Sequence, residues 1–235
     1  MGQVFKMPPP KKDRRYAIFF ISDLHSEHLH KPTYDMYLQH AQYVRQSNID
    51  VITVIGGDYL DAAFLMKKKN PLYKQHLKNM SGIDEYFVAN AEKEICWGNK
   101  RLDEIQIVSD ITIFMEGNHD WRYREFMNTD CPHNYRHNFD LDKQLRLEER
   151  NISFIWYNDW LDIGEHLSFT HGMYHGNTAL QKHHQNCGYR NVVFGHIHQA
   201  SSKSFHSRGR LSMAWSNPCM STLNPEYIKT FQILY

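Results

Sequence analysis

The chain has 235 residues, enough to bury one substantial hydrophobic core, so a single domain is the default expectation. A composition of 41% hydrophobic and 23% charged residues is typical of an ordinary globular protein. The net charge of +1 argues against a protein that holds long nucleic acid mainly by electrostatic attraction, but it allows a locally basic cleft.

The sequence contains no apolar run long enough to span a bilayer, and the polar, proline-rich segment 1–15 does not look like a signal peptide. The four cysteines are far apart and form no C-x-x-C pair, which predicts reduced thiols and a cytoplasmic protein. Segment 1–15 is predicted to be a flexible or extended lead-in to a single domain over residues 16–235.

Five short apolar runs, rich in β-branched and aromatic residues, each end at a polar block. Runs of this kind predict buried strands. In chain order they are 16–21 before Asp23 and His25, 51–55 before Asp58, 111–115 before Asn118 and His119, 167–170 before His171, and 191–194 before His196 and His198. A helix is predicted over 33–47, which completes a βαβ unit. Because open α/β sheets bind ligands at the carboxyl ends of their strands, the five blocks are expected to converge.

The polar blocks combine imidazole, carboxylate and amide donors, which suit Mn, Fe, Zn or Ni better than a thiolate zinc site or an all-oxygen calcium site. We expect two divalent ions, with Mn favoured. The carboxylate of Asp58 can bridge them because it offers two oxygens. Two ions about 3.5–4 Å apart acidify a shared water and hold phosphate oxygens during in-line displacement. The predicted metal ligands are Asp23, His25, Asp58, Asn118, His171, His196 and His198.

The ordered pattern D-x-H, G-D-x-x-D, G-N-H-D, H-G and G-H-x-H runs from Asp23 to His198 and resembles the calcineurin-like metallophosphoesterase superfamily. The resemblance implies a two-sheet α/β sandwich flanked by helices, with a dimetal site at the carboxyl ends of the strands. It also implies how the ligands divide. Asp23, His25, Asp58 and His198 would hold one ion, and Asp58, Asn118, His171 and His196 would hold the other.

His119 lies outside that ligand set but directly follows Asn118. An imidazole at this place can protonate the leaving oxygen as a general acid. The family parallel makes Asp61 the acidic partner that fixes the tautomer of His119 and raises its pKa, with Asp120 as the less favoured choice. The alternative is that His119 only packs or caps a turn.

Two segments exceed what a minimal sandwich needs. Residues 62–110 are predicted to form a helical insertion with a long helix over 83–107. The apolar stripe of this helix indicates that it packs on the core. The lysine run at 67–69 either ends a solvated helix or steers a phosphorylated substrate. Residues 121–151 are rich in Arg, Tyr and His. They are expected near the cleft mouth, where they either contact bases and phosphates or form ordinary surface. Strands are also predicted over 210–214 and 227–234.

The expected function is hydrolysis of a phosphate ester by a hydroxide that bridges the two metals, with nucleotides or short nucleic acid as the favoured phosphodiester substrates. Protein phosphatases of the superfamily that act on phosphoserine and phosphothreonine carry an Arg directly after G-D-x-x-D. Here that position is Ala62, which argues against a phosphoprotein substrate. The alternatives are a small-molecule phosphomonoesterase or pyrophosphatase, and a non-catalytic protein-binding scaffold. The sequence predicts no oligomeric state.

Overall fold

The computed structural model describes residues 3–7, 15–67, 73–78, 85–207 and 209–222. The strands of this part of the chain are β1 (Val4–Met7), β2 (Tyr16–Ile21), β3 (Asp50–Gly56), β4 (Ile111–Met115), β5 (Ser153–Ile155), β6 (Trp160–Ile163), β7 (Leu167–Thr170), β8 (Asn191–Phe194), β9 (Ser201–Ser207) and β10 (Arg210–Ser216). Its α-helices are α1 (Lys31–Gln46), α2 (Tyr73–Lys78), α3 (Glu85–Val108), α4 (Trp121–Thr129), α5 (Leu141–Gln144) and α6 (Ala179–Asn186). Short 3₁₀ turns cover Ser26–His28, Ala63–Leu65 and His133–Phe139.

The strands form two sheets. One has the order β2-β3-β4-β5, and all of its strands are parallel. The other has the order β1-β6-β7-β8-β10-β9. It is a mixed sheet. β6 runs antiparallel to its neighbour β7, and β9 runs antiparallel to its neighbour β10, whereas β7, β8 and β10 run parallel to one another. Five strands that precede polar blocks therefore lie in two sheets, three in the first and two in the second.

An apolar layer between the sheets holds them together. Alternate residues of β3 face opposite ways: Ile52 and Val54 belong to the cluster between the sheets, and Val51 and Ile55 pack on the helical side. Helices α1 and α3 cover that side, with the predicted apolar stripe of α3 buried. Helix α6 covers the second sheet. The fold is thus a two-sheet α/β sandwich flanked by helices, as predicted.

Most predicted elements have a counterpart. The five strands before the polar blocks are β2, β3, β4, β7 and β8, the helix predicted over 33–47 is α1, the one over 83–107 is α3, and the strand over 210–214 lies in β10. The strand predicted over 227–234 and residues 68–69 of the lysine run lie outside the described residues. No described helix has the length and apolar character needed to cross a membrane.

Residues 4–7 of the predicted flexible or extended lead-in are extended and belong to a sheet. Val4–Met7 forms β1, which pairs in parallel with β6 at the edge of the second sheet. The pairing joins Val4 to Trp160 and Met7 to Ile163. A short edge strand needs backbone partners on one side alone and stays largely exposed, so its weak apolar pattern resembles that of a lead-in.

Candidate metal centre

The five polar blocks lie in loops at the carboxyl ends of β2, β3, β4, β7 and β8, and backbone hydrogen bonds join these loops. The Asp23 N–H donates to the Gly57 carbonyl over 2.9 Å, which links the loops after β2 and β3. The Gly195 N–H donates to the His171 carbonyl over 3.0 Å, which links the loops after β7 and β8. The loops are therefore held together before any side chain contributes.

Several candidate ligands have a left-handed backbone conformation, which is uncommon for residues other than glycine. The positive φ angles belong to Asp23 (58°), His25 (51°), Asp58 (49°), His196 (70°) and His198 (57°). Such a conformation costs of order 1–3 kcal/mol per residue and persists where the surrounding structure imposes it, typically at functional sites.

Two glycines in the blocks allow ligand loops from different strands to approach closely. A Cβ at Gly195 would lie 2.5 Å from Asp23 Oδ2. A Cβ at Gly117 would overlap the backbone nitrogen and side chain of Asp58. Any larger residue at either position would push a candidate ligand away, so glycine is required there for steric reasons.

The first donor group consists of Asp23, His25, Asp58 and His198, each of which places a donor atom within 4.8 Å of the others. His198 Nε2 lies 3.1 Å from Asp23 Oδ1 and 3.3 Å from His25 Nε2. His25 Nε2 lies 3.9 Å from Asp58 Oδ2. Three of the four side chains are buried. These nitrogen and oxygen atoms are close enough to hold a metal ion.

The second donor group consists of Asp58, Asn118, His171 and His196. Donor atoms of Asp58, His171 and His196 lie within 4.8 Å of one another. Asn118 Oδ1 adds an amide oxygen 3.0 Å from His171 Nε2, which is itself 3.4 Å from Asp58 Oδ1. The exposed His175 places Nε2 2.9 Å from His196 Nε2. Asp58 therefore belongs to both groups, with Oδ2 toward the first and Oδ1 toward the second.

The charge states of these side chains suit a cation. Burial opposes ionisation of Asp23 and Asp58, yet neighbouring histidines hold the pKa of both carboxyl groups below the usual value. Burial lowers the pKa of His196 to about 3, which leaves its imidazole neutral at pH 7. Although burial opposes its protonation, the Asp58 carboxylate raises the pKa of His171 to about 9. A metal ion would displace that proton, as metals do when they bind protonated ligands.

Hydrogen bonds on the far side of two imidazole rings direct the other ring nitrogen toward the donor groups. His171 Nδ1 donates to the Gly56 carbonyl over 2.8 Å, so Nε2 is the nitrogen that faces Asp58 and would offer its lone pair once a metal ion displaces the proton. His25 Nδ1 lies 3.3 Å from Asp61 Oδ1, and its Nε2 faces His198. Partners of this kind fix the tautomer and orientation of metal-binding histidines.

The structure brings His119 and Asp61 together beside the two donor groups. His119 Nδ1 lies 2.7 Å from the Asp61 carbonyl oxygen and 3.1 Å from Asp61 Oδ1. The two Asp61 oxygens favour a proton on Nδ1, whereas the Arg122 guanidinium, whose Nη1 lies 2.9 Å from the same atom, favours a lone pair there. With a proton on Nδ1, Nε2 is the nitrogen that is available for proton transfer. The His119 N–H also donates to Asp58 Oδ1 over 2.8 Å, which ties the pair to the shared carboxylate.

Asp120, the less favoured partner for His119, has a different position. Its buried carboxylate accepts hydrogen bonds from the backbone N–H groups of Tyr59 (3.2 Å), Leu60 (2.8 Å) and Gly117 (3.0 Å). It thereby joins the loops after β3 and β4. Burial raises the pKa of Asp120 to about 6.

Burial outweighs the effect of Asp61, which raises the pKa of His119 as expected of an acidic partner, so the net shift of this pKa is downward. Burial of the imidazole lowers its pKa below 6.5, and this outweighs the opposite effects of Asp58 and Asp61. Arg122 acts in the same direction as burial, because its Nη1 lies 2.9 Å from His119 Nδ1. The sequence indicates Asp61 as the acidic neighbour of His119. It does not show how the carboxylates, the guanidinium and burial together set the pKa of His119.

The Arg/Tyr/His-rich segment after Asp120 divides into surface and core. Arg122 Nη1 donates to the Asp61 carbonyl over 2.8 Å and so lies beside His119 and Asp61. Tyr123 is fully buried and belongs to the hydrophobic core. Arg124 forms an ion pair with the buried Glu116, and its guanidinium lies 4.1 Å from the Trp156 ring centroid. Arg122 is therefore the residue of these three that stays a candidate for phosphate contact.

Glu94 of α3 is a supporting residue that the sequence did not reveal. Its carboxylate accepts a hydrogen bond from the Ala62 N–H, with Oε1 at 3.1 Å and Oε2 at 3.2 Å. The Tyr123 hydroxyl donates to Oε2 over 2.9 Å. Because Ala62 follows Asp61 directly, Glu94 anchors the turn that presents Asp61 to His119. Burial raises the pKa of Glu94 to about 7.

Glu94→Gln is expected to reduce the pH dependence of folding stability. An unfolded glutamate titrates near 4.5, so the folded state binds the proton more tightly, and stability falls as the pH rises from about 4.5 to 7. Ionisation of Glu94 should lower the free energy of unfolding by roughly 2–4 kcal/mol between these two pH values. Urea unfolding at pH 5 and pH 7.5 measures the change. Glu92→Gln, at an exposed position of the same helix, should retain the wild-type slope. An unchanged slope in Glu94→Gln would contradict the assignment.

No protein-family model matches the chain, and no curated protein matches it significantly. What the site does is therefore inferred from the order of the polar blocks and from the geometry of the two donor groups.

Proposed function

We propose that this chain is a phosphoesterase of the calcineurin-like metallophosphoesterase superfamily that works with two divalent metal ions. The observation that carries this proposal is that Asp58 belongs to two donor groups at once. Two buried carboxylates, Asp23 and Asp58, lie among imidazole and amide donors, and cations would compensate their charge. Mn is the favoured ion, with Fe, Zn or Ni as alternatives, because the donors are imidazole, carboxylate and amide.

The residues divide the chemistry among them. Asp23, His25 and His198 would hold one ion with Asp58, and Asn118, His171 and His196 would hold the other. Two such ions supply an activated water and neutralise the oxygens of a phosphate.

His119 would donate a proton from Nε2 to the leaving oxygen. The Nδ1 proton of His119 stays hydrogen-bonded to Asp61 during this transfer, so the ring keeps its orientation.

A phosphodiester of a nucleotide or short nucleic acid is the favoured substrate. Ala62 stands where the protein phosphatases carry an arginine. A guanidinium instead approaches this turn from α4, where Arg122 contacts the Asp61 carbonyl. Arginine binds phosphate oxygens well because its donors form a planar fork. The net charge of +1 favours a small or single-stranded substrate over tight duplex binding. The free cysteines of the described residues favour a reducing compartment, the cytoplasm.

Metal content and ester preference test the proposal together. Protein loaded with Mn²⁺ and freed of excess ion is expected to retain two equivalents and to hydrolyse bis-p-nitrophenyl phosphate faster than p-nitrophenyl phosphate. Chelation should abolish this hydrolysis and Mn²⁺ should restore it. Asp58→Asn, purified in parallel, controls for contaminating phosphatases.

Other outcomes point to the alternative functions. Preference for the monoester or for pyrophosphate would favour a small-molecule phosphomonoesterase or pyrophosphatase. Absence of hydrolysis of all three compounds by metal-loaded protein would favour a protein-binding scaffold.

A further inference from the structure

A surface groove of about 650 Å³ runs between α4 and the loop that follows β5. Its walls include Trp121, Arg124 and Asn128 on one side and Tyr157 and Asn158 on the other. The Trp121 and Tyr157 rings face each other with their centroids 6.1 Å apart and their planes at 35°.

One end of the groove adjoins the second donor group. The centroid of the Tyr157 ring is 6.4 Å from that of His171. Trp121 follows Asp120 in the chain, three residues after the candidate ligand Asn118. A ligand in the groove would therefore extend toward the place where the phosphate of a substrate is expected.

The described residues that line the groove offer no free positive charge for a phosphate group. The Arg124 guanidinium is neutralised by the buried Glu116 and lies against Trp156, and Glu125 adds a carboxylate to the wall. What the groove offers is aromatic surface and the side-chain amides of Asn128 and Asn158. Aromatic side chains stack on bases, and amides match the donors and acceptors of base edges.

Both aromatic residues are anchored to the loop that carries Asn118 and His119. The Trp121 N–H donates to the Gly117 carbonyl over 2.9 Å. The Tyr157 N–H donates to Glu116 Oε2 over 2.9 Å. The groove is thus built on the same turn as the candidate ligand and acid, which fixes its position relative to the chemistry.

We propose that this groove binds a base of the substrate, which stacks on Trp121 or Tyr157 while the attached phosphate lies at the second donor group. The inference rests on the proposed phosphoesterase function and specifies its substrate as a phosphodiester that carries a nucleoside. The binding energy would come from stacking and from base-edge hydrogen bonds, so it should be insensitive to the leaving group.

Two diesters with the same leaving group test the groove: thymidine 5′-(p-nitrophenyl phosphate) and methyl p-nitrophenyl phosphate. The ratio of their kcat/KM values measures what the nucleoside contributes. Trp121→Leu and Tyr157→Leu should each lower this ratio roughly 5- to 150-fold, the range expected for the loss of one base–aromatic stack. Tyr157→Phe, which keeps the ring, should preserve it. Tyr43→Leu removes an aromatic side chain that is 69% exposed on α1 and should also preserve it.

A measurement on the wild-type protein avoids any dependence on the folding of the leucine variants. Thymidine 5′-monophosphate added to Zn²⁺-loaded protein should shift the indole N–H resonance of Trp121, assigned by its loss in Trp121→Phe. Shifts confined to the other tryptophans would overturn the groove proposal.

The two proposals can fail separately. If both diesters are hydrolysed and the leucine variants leave their ratio unchanged or lower both rates equally, the groove does not bind a base, although the phosphoesterase function stands. If neither diester is hydrolysed but the nucleotide shifts Trp121, the groove stands and the phosphoesterase function fails.

Discussion

Asp58→Asn is expected to abolish tight binding of both metal ions. Asp58 Oδ2 faces His25 Nε2 in the first donor group at 3.9 Å, and Oδ1 faces His171 Nε2 in the second at 3.4 Å. An amide has one acceptor oxygen and no charge, so it can complete neither group in the same way. The loss of affinity should exceed about 100-fold at each position, because removing an outer hydrogen bond to a metal ligand already costs 10- to 100-fold.

Metal content after gel filtration measures this effect, and two single-group variants serve as matched controls. Asn118→Ala should remove the second equivalent alone, and His198→Ala the first. The amide oxygen introduced by Asp58→Asn can still accept the His119 N–H, so the fold should persist, which far-ultraviolet circular dichroism would check. An Asp58→Asn protein that loses a single equivalent, or none, would show that the carboxylate is not shared.

The central strands were predictable because their burial leaves a continuous apolar pattern. β3 is buried from Val51 to Gly56 and lies between two parallel neighbours, so both of its faces require apolar side chains. Each such strand ends at a polar block, and parallel neighbours place those ends at one edge of their own sheet. The packing of the two sheets brings the two edges together, as the hydrogen bond from the His196 N–H to the Asp23 carboxylate shows.

Strands at the sheet edges were not predictable in the same way. β9 is Ser201–Ser207, a mainly polar strand that pairs with β10 and is exposed at residues 201–204 and 206. Its conformation comes from the backbone ladder with its neighbour, which leaves no apolar signal in the sequence. β5 has three residues, too few to show a period.

The segment after Asp120 shows how helical geometry separates residues that share a composition. In α4, Tyr123 and Phe126 are three positions apart and both point into the core. Trp121, Arg124 and Asn128, which are three and four positions apart, share the opposite face and line the groove. Composition left both substrate contact and ordinary surface open for the whole segment, but α4 directs two of its three aromatic residues, Tyr123 and Phe126, into the core.

The residues that support the site could not be predicted from the sequence because their partners are distant in the chain. Glu94 is 32 positions from Ala62 in the chain. Glu116 is 41 positions from Tyr157, whose N–H donates a hydrogen bond to it. An acid on a helix or at a strand end has no local pattern that identifies such a partner. These contacts arise from the packing of α3 and of the loop after β5 against the loops that carry the candidate ligands.

His119→Ala is expected to slow the hydrolysis of esters with poor leaving groups by roughly 10²- to 10⁴-fold, the usual contribution of a general acid. Metal content should stay at the wild-type level, because His119 lies outside both donor groups and its backbone N–H still reaches Asp58. The loss should shrink as the leaving group becomes more acidic, because a good leaving group needs little protonation. A series of aryl esters graded by the pKa of the phenol measures this dependence.

Asp61→Asn separates proton donation from positioning. Asp61 contacts both His119 Nδ1 and His25 Nδ1, so its substitution should lower the rate and also weaken the ion at the first donor group, by about 10- to 100-fold in affinity. His119→Ala should affect the rate alone. If His119→Ala slows good and poor leaving groups equally, its imidazole positions the phosphate instead of donating a proton. If it also loses metal, the ring supports the donor groups, and the acid must be sought elsewhere in the site.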